Sequence, residues 1–300
     1  MNADLNRSRL HCRRLTRARA RNFYFAFALL DRRRRDAVCA IYAFMRGSDD
    51  LIDDPNGGLP AQRRGRLEAW RNDLADVLAG RPAPDPLWPA FADAVRTYRI
   101  PERYFHEMID GVGSDLERHS IGTLDELRRY CHQVASVAGL ALIHILGFED
   151  PRAPELAETC GFAFQLTNIL RDVGEDCRQD RIYLPREDLE RFGVSPADLA
   201  AGRPAGNFRR LMEFEVARAR SLYQQSWPLI GLVDPSGRRA LRVLISIYAT
   251  LLSRIEGAPG EVLHRRIGLS RAEKLWIAAG ALLGAKSSPE WLAPRARSSA

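Results

Sequence analysis

The sequence predicts an all-α fold, and three observations carry that reading. Apolar residues recur at helical spacing in one long segment after another. The period-two alternation of a half-buried strand is scarce. Two acid-rich segments, about 120 residues apart, each follow an apolar run, as the functional ends of two amphipathic helices would. If those segments act together they must meet, so one domain is expected over residues 1–285. A small, polar, basic stretch, 286–300, reads as a frayed tail.

Composition sets the bounds. With 300 residues, 46% of them hydrophobic, the chain can bury a large core. The five cysteines are odd in number and form no CxxC pair, which argues against a disulfide framework or zinc site and fits a reducing compartment. The formal charge is +7, yet lysine occurs only at 274 and 286. Such a chain suits an anionic partner: nucleic acid, membrane surface or substrate. There is no zinc-finger spacing or RNA-binding motif, so nucleic acid is not expected. The first 22 residues are polar and arginine-rich with no apolar h-region, unlike a secretory signal. The most apolar stretch, Val134 to Phe148, is short and contains His144, which suits a buried helix. A cytoplasmic protein is expected, with peripheral contact at the inner membrane surface as an option.

Taken in order, Asn6 to Leu30 reads as an amphipathic helix in which Arg17, Arg19 and Arg21 precede Phe23, Tyr24, Phe25 and Phe27. Basic residues followed by aromatics suit phosphate at one end and an apolar tail at the other, although the same aromatics would serve a core. Arg32 to Arg35 mark a solvated helix start. The apolar run Ala37 to Met45 leads into SDDLIDD, and Pro55, Asn56, Gly57 and Gly58 end that helix. A helix over Gln62 to Ala79, the loop RPAPDPLWP and a helix over Phe91 to Tyr98 follow. Pro101 opens the next helix, which carries Phe105, Met108, Ile109, Val112 and Leu116 at helical spacing. Thr123 and Glu126 form a capping box for a helix running to Gly147. Ala135, Ala138, Gly139 and Ala141 give that helix a thin surface, suited to close packing or to a ligand. His132 and His144 read as structural, since no second metal-binding partner is spaced with them. Pro154 to Pro185 holds the second acidic helix, and Glu187 to Ala205 reads as a surface excursion. Phe208 to Trp227, Arg238 to Glu256 and Ser270 to Leu283 are three more amphipathic helices.

The chemistry sits in the acidic segments. Asn168, Asp172 and Asp176 are spaced i, i+4, i+8 and share a helix face. Asp49 with Asp53, and Asp50 with Asp54, repeat the i, i+4 spacing. Carboxylates one turn apart repel by about 0.2–0.5 kcal/mol when exposed, so a cation belongs over each face. Hard oxygen ligands suit Mg²⁺ better than Zn²⁺. Arg171, Arg178 and Arg181 surround the second set. Metal ligands mixed with guanidinium groups are what a diphosphate needs. One such stripe would equally be an ion-paired surface; two on two helices are much harder to explain that way.

SDDLIDD, and TNILRDVGED followed by RIYLP, resemble the two aspartate-rich motifs of the squalene/phytoene synthase family, from about Tyr24 to about Trp276. The resemblance implies a helical bundle around a central cavity and head-to-head, Mg²⁺-dependent condensation of two prenyl diphosphates on two or three ions. It implies Asp49, Asp53, Asn168, Asp172 and Asp176 as metal ligands. It places Arg21, Asn22, Tyr42, Arg46, Gln165, Asn168, Arg171, Tyr248 and Arg265 at diphosphate, and Tyr130 near the reacting carbons. Asn22 stands where the family more often has serine, and Asp180 where it usually has glycine. NFYFAF, VAS and VLHRRIGLSRAEKLW favour the branch that makes C30 presqualene diphosphate or squalene from farnesyl diphosphate, with NADPH needed only for squalene. LIDDPNG and GEDCRQDRIYLP fit the alternative equally, a phytoene synthase joining two geranylgeranyl diphosphates. A head-to-tail synthase or cyclase lacks the RIYLP extension. A non-catalytic, basic helical binding protein is the remaining alternative.

Overall fold

The computed structural model describes residues 2–20, 23–53, 58–117, 120–202 and 206–283. Arg21, Asn22, Asp54 and the expected tail 286–300 lie outside these, as does the side chain of Asp53. Among the described residues there are helices and two isolated bridges, Ser120 with Ile182 and Phe148 with Val233, but no strand.

In chain order the helices are α1 (Asn2–Arg19), α2 (Phe23–Phe27), α3 (Arg32–Asp53), α4 (Pro60–Leu78), α5 (Trp88–Tyr98) and α6 (Arg103–Ser114). Then follow α7 (Leu124–Cys131), α8 (Val137–Leu146), α9 (Ala153–Arg178), α10 (Arg186–Phe192) and α11 (Pro196–Ala200). The last four are α12 (Gly206–Ser226), α13 (Leu229–Leu232), α14 (Pro235–Gly257) and α15 (Arg271–Leu283). A π-helical turn, His132–Ser136, joins α7 to α8, and a 3₁₀ turn, Pro259–Leu263, follows α14.

Four expectations need correction. The single helix over Asn6 to Leu30 is two helices, α1 and α2, which lets the aromatics turn inward independently of the arginines. The helix expected from Phe91 begins at Trp88, because Pro89 is tolerated in a first turn. The surface excursion after Glu187 holds α10 and α11, anchored by buried Asp188, Leu189 and Leu199. Thr123 does cap α7, accepting from the Glu126 amide at 3.2 Å, but the Glu126 carboxylate reaches back to the Gly122 amide instead, at 2.6 Å.

The two acidic helices are held from behind. Phe44 of α3 packs among Trp70, Trp88, Phe91 and Phe105, with ring centroids 4.8–5.9 Å away. Such ring pairs add about 0.5–1.5 kcal/mol each beyond area burial. The Trp70 indole donates to Ser48 Oγ at 2.9 Å, one residue before Asp49. On α9, the Thr167 hydroxyl meets the Tyr223 phenol of α12 at 2.8 Å, one residue before Asn168. Both anchors lie on the faces turned away from the acids, so each helix is fixed in rotation.

Candidate active site

One face of α3 and one face of α9 line the same cavity, of about 840 Å³. From α3 come Val38, Ile41, Tyr42, Met45, Arg46 and Asp49; from α9 come Ala157, Cys160, Gly161, Phe164, Gln165, Asn168 and Arg171. Both sets follow the i, i+3, i+4, i+7 rule of a single helix face. In each the N-terminal residues are apolar or small and the C-terminal ones polar. The cavity therefore has a hydrocarbon depth and a charged end. The small residues expected to leave room, Ala135, Ala138 and Gly139, line it, while Ala141 is buried away from it.

An aromatic collar sits between the two ends. Tyr248 packs against Phe164 at 4.4 Å and against Phe23 at 5.6 Å, and Phe23 lies 6.2 Å from Tyr42. Burial raises the Tyr42 phenol to about 12, so it stays a neutral donor.

At the charged end, arginines and acids neutralise one another. Arg171 Nε donates to Asp172 Oδ1 at 2.8 Å, and Arg266 reaches Asp172 Oδ1 at 2.9 Å. Arg46 pairs with Asp50, which also lies 3.6 Å from Arg19. Burial, with Asp172 and Glu175 nearby, pushes the Asp176 carboxyl up to about 7. Asn168 Nδ2 donates to Gln165 at 3.3 Å, leaving its buried Oδ1 without a hydrogen-bond partner.

These residues fit a divalent cation. A buried amide oxygen without a donor and a carboxyl raised by burial and by like-charged neighbours both gain from positive charge nearby. The donors are hard oxygens, as Mg²⁺ requires. Among the described residues, however, no three His, Cys, Asp or Glu side chains form a metal-ready cluster. Asp49 lines the cavity, while Asp172 and Asp176 do not. Successive i+4 steps precess by about 40° on a helix of 3.6 residues per turn. Asp176 accordingly lines a second, small cavity with Ile169, Val173, Cys177 and Arg181 to Leu184.

Of the other expected residues, Tyr42, Arg46, Gln165, Asn168, Arg171 and Tyr248 meet at the main cavity. Arg265 does not: it is exposed and pairs with Glu261. Its neighbour Arg266 lines the cavity instead, together with Lys274, both missed by sequence reasoning as site residues, and with Arg19, one of the arginines expected to suit phosphate. Lys274 had a signal, as one of two lysines in an arginine-dominated chain. Tyr130 lies outside the cavity lining. Its phenol donates to Asp115 Oδ2 at 3.1 Å, Tyr183 of RIYLP donates to Oδ1 at 3.0 Å, and the two rings stack at 5.0 Å. Burial and the Asp115 charge push both phenols up. Asp180 has a φ of 59°, a left-handed position that explains the glycine usual in the resembling family.

Comparison with known proteins agrees with this geometry. The squalene/phytoene synthase family model matches residues 16–273. The chain belongs to the squalene/phytoene synthase family. It therefore belongs with prenyltransferases, enzymes that act on prenyl diphosphates. Phytoene synthase 3 of Zea mays is 35% identical over 271 residues, 88% of this chain and 63% of the maize protein. The phytoene synthase of Arthrospira platensis is 34% identical over 268 residues, covering 85% of this chain and 86% of its own length. The chain thus spans less than two thirds of the plant relative and most of the cyanobacterial one. Among solved structures, a dehydrosqualene synthase superposes with a TM-score of 0.84 at 29% identity, covering 94% of this chain and 97% of that one. Squalene synthase HpnC from Alicyclobacillus acidocaldarius gives 0.79 at 31% identity, covering 86% and 96%.

Proposed function

We propose that this chain joins two geranylgeranyl diphosphates head to head to give phytoene. The observation that carries the prenyl-diphosphate reading is the cavity's polarity: an apolar depth beneath Tyr42, Arg46, Asn168, Arg171, Arg266 and Lys274. That is the shape of an amphiphile with a polyanionic head. The C20 choice rests on relatives: two phytoene synthases at 34% and 35% identity support it. It replaces the C30 product favoured by the sequence, although dehydrosqualene and squalene synthases share the fold.

In this reading Asp49, Asp53, Asn168, Asp172 and Asp176 would hold Mg²⁺. The bound ions would supply Lewis-acid stabilisation of the departing diphosphate. Arg46, Arg171, Arg266 and Lys274 receive its oxygens as charged donors. The allylic C1–O bond of one substrate breaks and its electron pair leaves with the diphosphate. The Tyr42, Phe164 and Tyr248 rings face the resulting cation with their π electrons. Ile41, Ala138, Gly139 and Leu142 exclude water while the double bond of the second substrate attacks. A proton is lost as the cyclopropyl diphosphate forms; a second ionisation, ring opening and proton loss complete the product. No hydride donor is needed for phytoene.

Product analysis tests this. Purified protein receives Mg²⁺ and either geranylgeranyl or farnesyl diphosphate, with and without NADPH. A C40 hydrocarbon is expected. A C30 product alone would overturn the substrate assignment, and folded protein that consumes neither would overturn the reaction.

A further inference from the structure

One arginine fastens the deep end of the cavity from outside. Arg34 stands in the first turn of α3, within the run expected to be a solvated helix start, yet its side chain is only 22% exposed. Its Nε donates to the Ile145 carbonyl, in the last turn of α8, at 3.0 Å. Its Nη2 donates to Asp234 Oδ2, at the N-cap of α14, at 3.0 Å, and its Nη1 donates to Ser236 Oγ in the first turn of that helix. Asp31 Oδ2 lies 3.6 Å from the same guanidinium. The cation thus meets the carbonyl end of one helix, and its partner carboxylate stands at the amide end of another, each charge matched to the helix end of opposite sign. The backbone adds to the clasp, since the Asp234 amide donates to the Gly147 carbonyl at 2.9 Å. Gly147 has a φ of 83°, and a Cβ there would fall 2.2 Å from Asp234 Oδ2, so only glycine fits.

The clasp lies just past the deepest lining residues. On α3, Val38 is the first to line the cavity, one turn after Arg34. On α14, Leu241 is the first, two turns after Asp234. On α8, Ile145 lines the cavity and also supplies the carbonyl that Arg34 holds. The first lining residue of α9, Ala157, packs on Gly139, where a Cβ would fall 3.1 Å from the Ala157 carbonyl oxygen. Ile143 and Ile145, one to two turns beyond Gly139, therefore extend the wall away from the charged end. Arg34, Asp234 and Gly147 do not line the cavity themselves. One side chain thus joins the three helix ends that make the cavity floor, and parting those ends would deepen it.

We propose that Arg34 is a positioning residue for chain length: it holds the floor at the depth where the hydrocarbon tail must end. It touches no substrate and acts through Val38, Ile145 and Leu241. With the clasp intact, a tail one isoprene unit too long overpacks the floor. With the clasp open, the ends of α3, α8 and α14 yield and that tail is admitted. The inference rests on the prenyl-diphosphate reading of the cavity but not on the C20 choice, because the floor stops whichever tail the cavity fits.

The test is equilibrium binding of C15, C20 and C25 prenyl thiolodiphosphates to the full chain with Mg²⁺. Sulfur replaces the oxygen at C1 in these probes, so they bind without rapid ionisation. The parent should bind its preferred length about tenfold or more tighter than the chain five carbons longer. Arg34→Gln should narrow that ratio to about twofold or less. Asp234→Asn, a milder change at a half-exposed carboxylate, should narrow it in the same direction with the thermal transition retained. Arg9→Gln is the control: Arg9 pairs with Asp93 at 2.8 Å, comparably part-buried, and neither lines the cavity. Loss of an ion pair that merely stabilises the fold, as in this control, should weaken all lengths alike or none. Unchanged ratios in both clasp variants, equal narrowing by Arg9→Gln, or a parent that does not discriminate against the longer chain would overturn the role of Arg34 and leave the proposed reaction standing. A folded parent that binds no probe of any length would overturn the prenyl-diphosphate reading and this inference with it.

Discussion

Gly174 offers a sharp test of how the charged end is assembled. It lies between Asp172 and Asp176 on α9, against the 3₁₀ turn that ends at Leu263. A Cβ there would fall 2.7 Å from both the carbonyl carbon and the Cα of Leu263. Those are backbone atoms, so relief requires the turn itself to move, by about 1 Å to restore ordinary contact. Arg266, three residues on, would be carried away from Asp172 and from the cavity. Overpacking costs about 1–3 kcal/mol, and the better helix propensity of alanine returns about 1 kcal/mol. Gly174→Ala should therefore lower Tm by only a few degrees. Turnover should fall by about 100-fold, because a displacement of about 1 Å at a reacting site has that effect. Thermal denaturation and steady-state product formation on the same preparation give both numbers. Turnover that is unchanged, or that falls only in proportion to the folded fraction, would show that the Leu263–Arg266 segment does not set the site. Gly65→Ala is the control: on α4, in open space, it should stabilise by up to about 1 kcal/mol.

Asp172→Asn should cut Mg²⁺-dependent turnover by about 10²–10³-fold while circular dichroism stays native; retained turnover would remove Asp172 from the machinery. Ala138→Phe fills part of the cavity depth, so products should shift toward shorter chains, read by chromatography with mass detection; an unchanged C40 profile at normal rate would refute that lining role. Glu215 is buried beside Asp188 and Arg218, and burial raises its carboxyl from 4.5 to about 7. A raised carboxyl favours the protonated folded state, so this component of stability is present below about pH 4.5 and is lost as pH rises through about 7. Glu215→Gln should flatten that stretch of the stability–pH profile, and an unaltered slope in chemical denaturation would assign it elsewhere. Asp115→Asn removes one of two charge-assisted acceptors, worth about 1.5–3 kcal/mol. It should also lower the Tyr183 phenol toward its ordinary value, visible in an ultraviolet tyrosinate titration; a titration identical to the parent's would reject the clamp.

The helices were legible because periodicity and burial obey the same geometry. Spacing alone put Asp49 and Asn168 on two helices, whereas Tyr42 and Gln165 needed the resemblance, and Val38, Ala157 and Cys160 carry no sign in the sequence that they face a cavity. Arg265 came from the resemblance; it and Arg266 sit in an irregular segment, where no period says which side chain turns inward. Asp176 was placed on the Asn168 face because an i+4 ladder reads as vertical on paper and precesses on a real helix. The π-helical turn at His132–Ser136 left no mark, since one extra residue in a turn resembles ordinary helix in composition. Asp115 carries no signal in the sequence, because a half-buried acid at the end of α6 shows its purpose only when Tyr130 and Tyr183 are brought to it from other segments.

The mutual neutralisation of arginines and acids at the cavity mouth has a thermodynamic corollary. An anion entering alone would draw Arg171 and Arg266 from Asp172 and strand a carboxylate. A cation entering alone would take the carboxylate and strand two guanidinium groups. Arriving together, each ligand satisfies what the other releases. By linkage, each must then raise the affinity for the other by the same factor, so the apparent Kd for diphosphate should fall as metal concentration rises, and conversely. Selectivity for the paired species would then be built into the resting charge pattern, before any contact with the hydrocarbon tail.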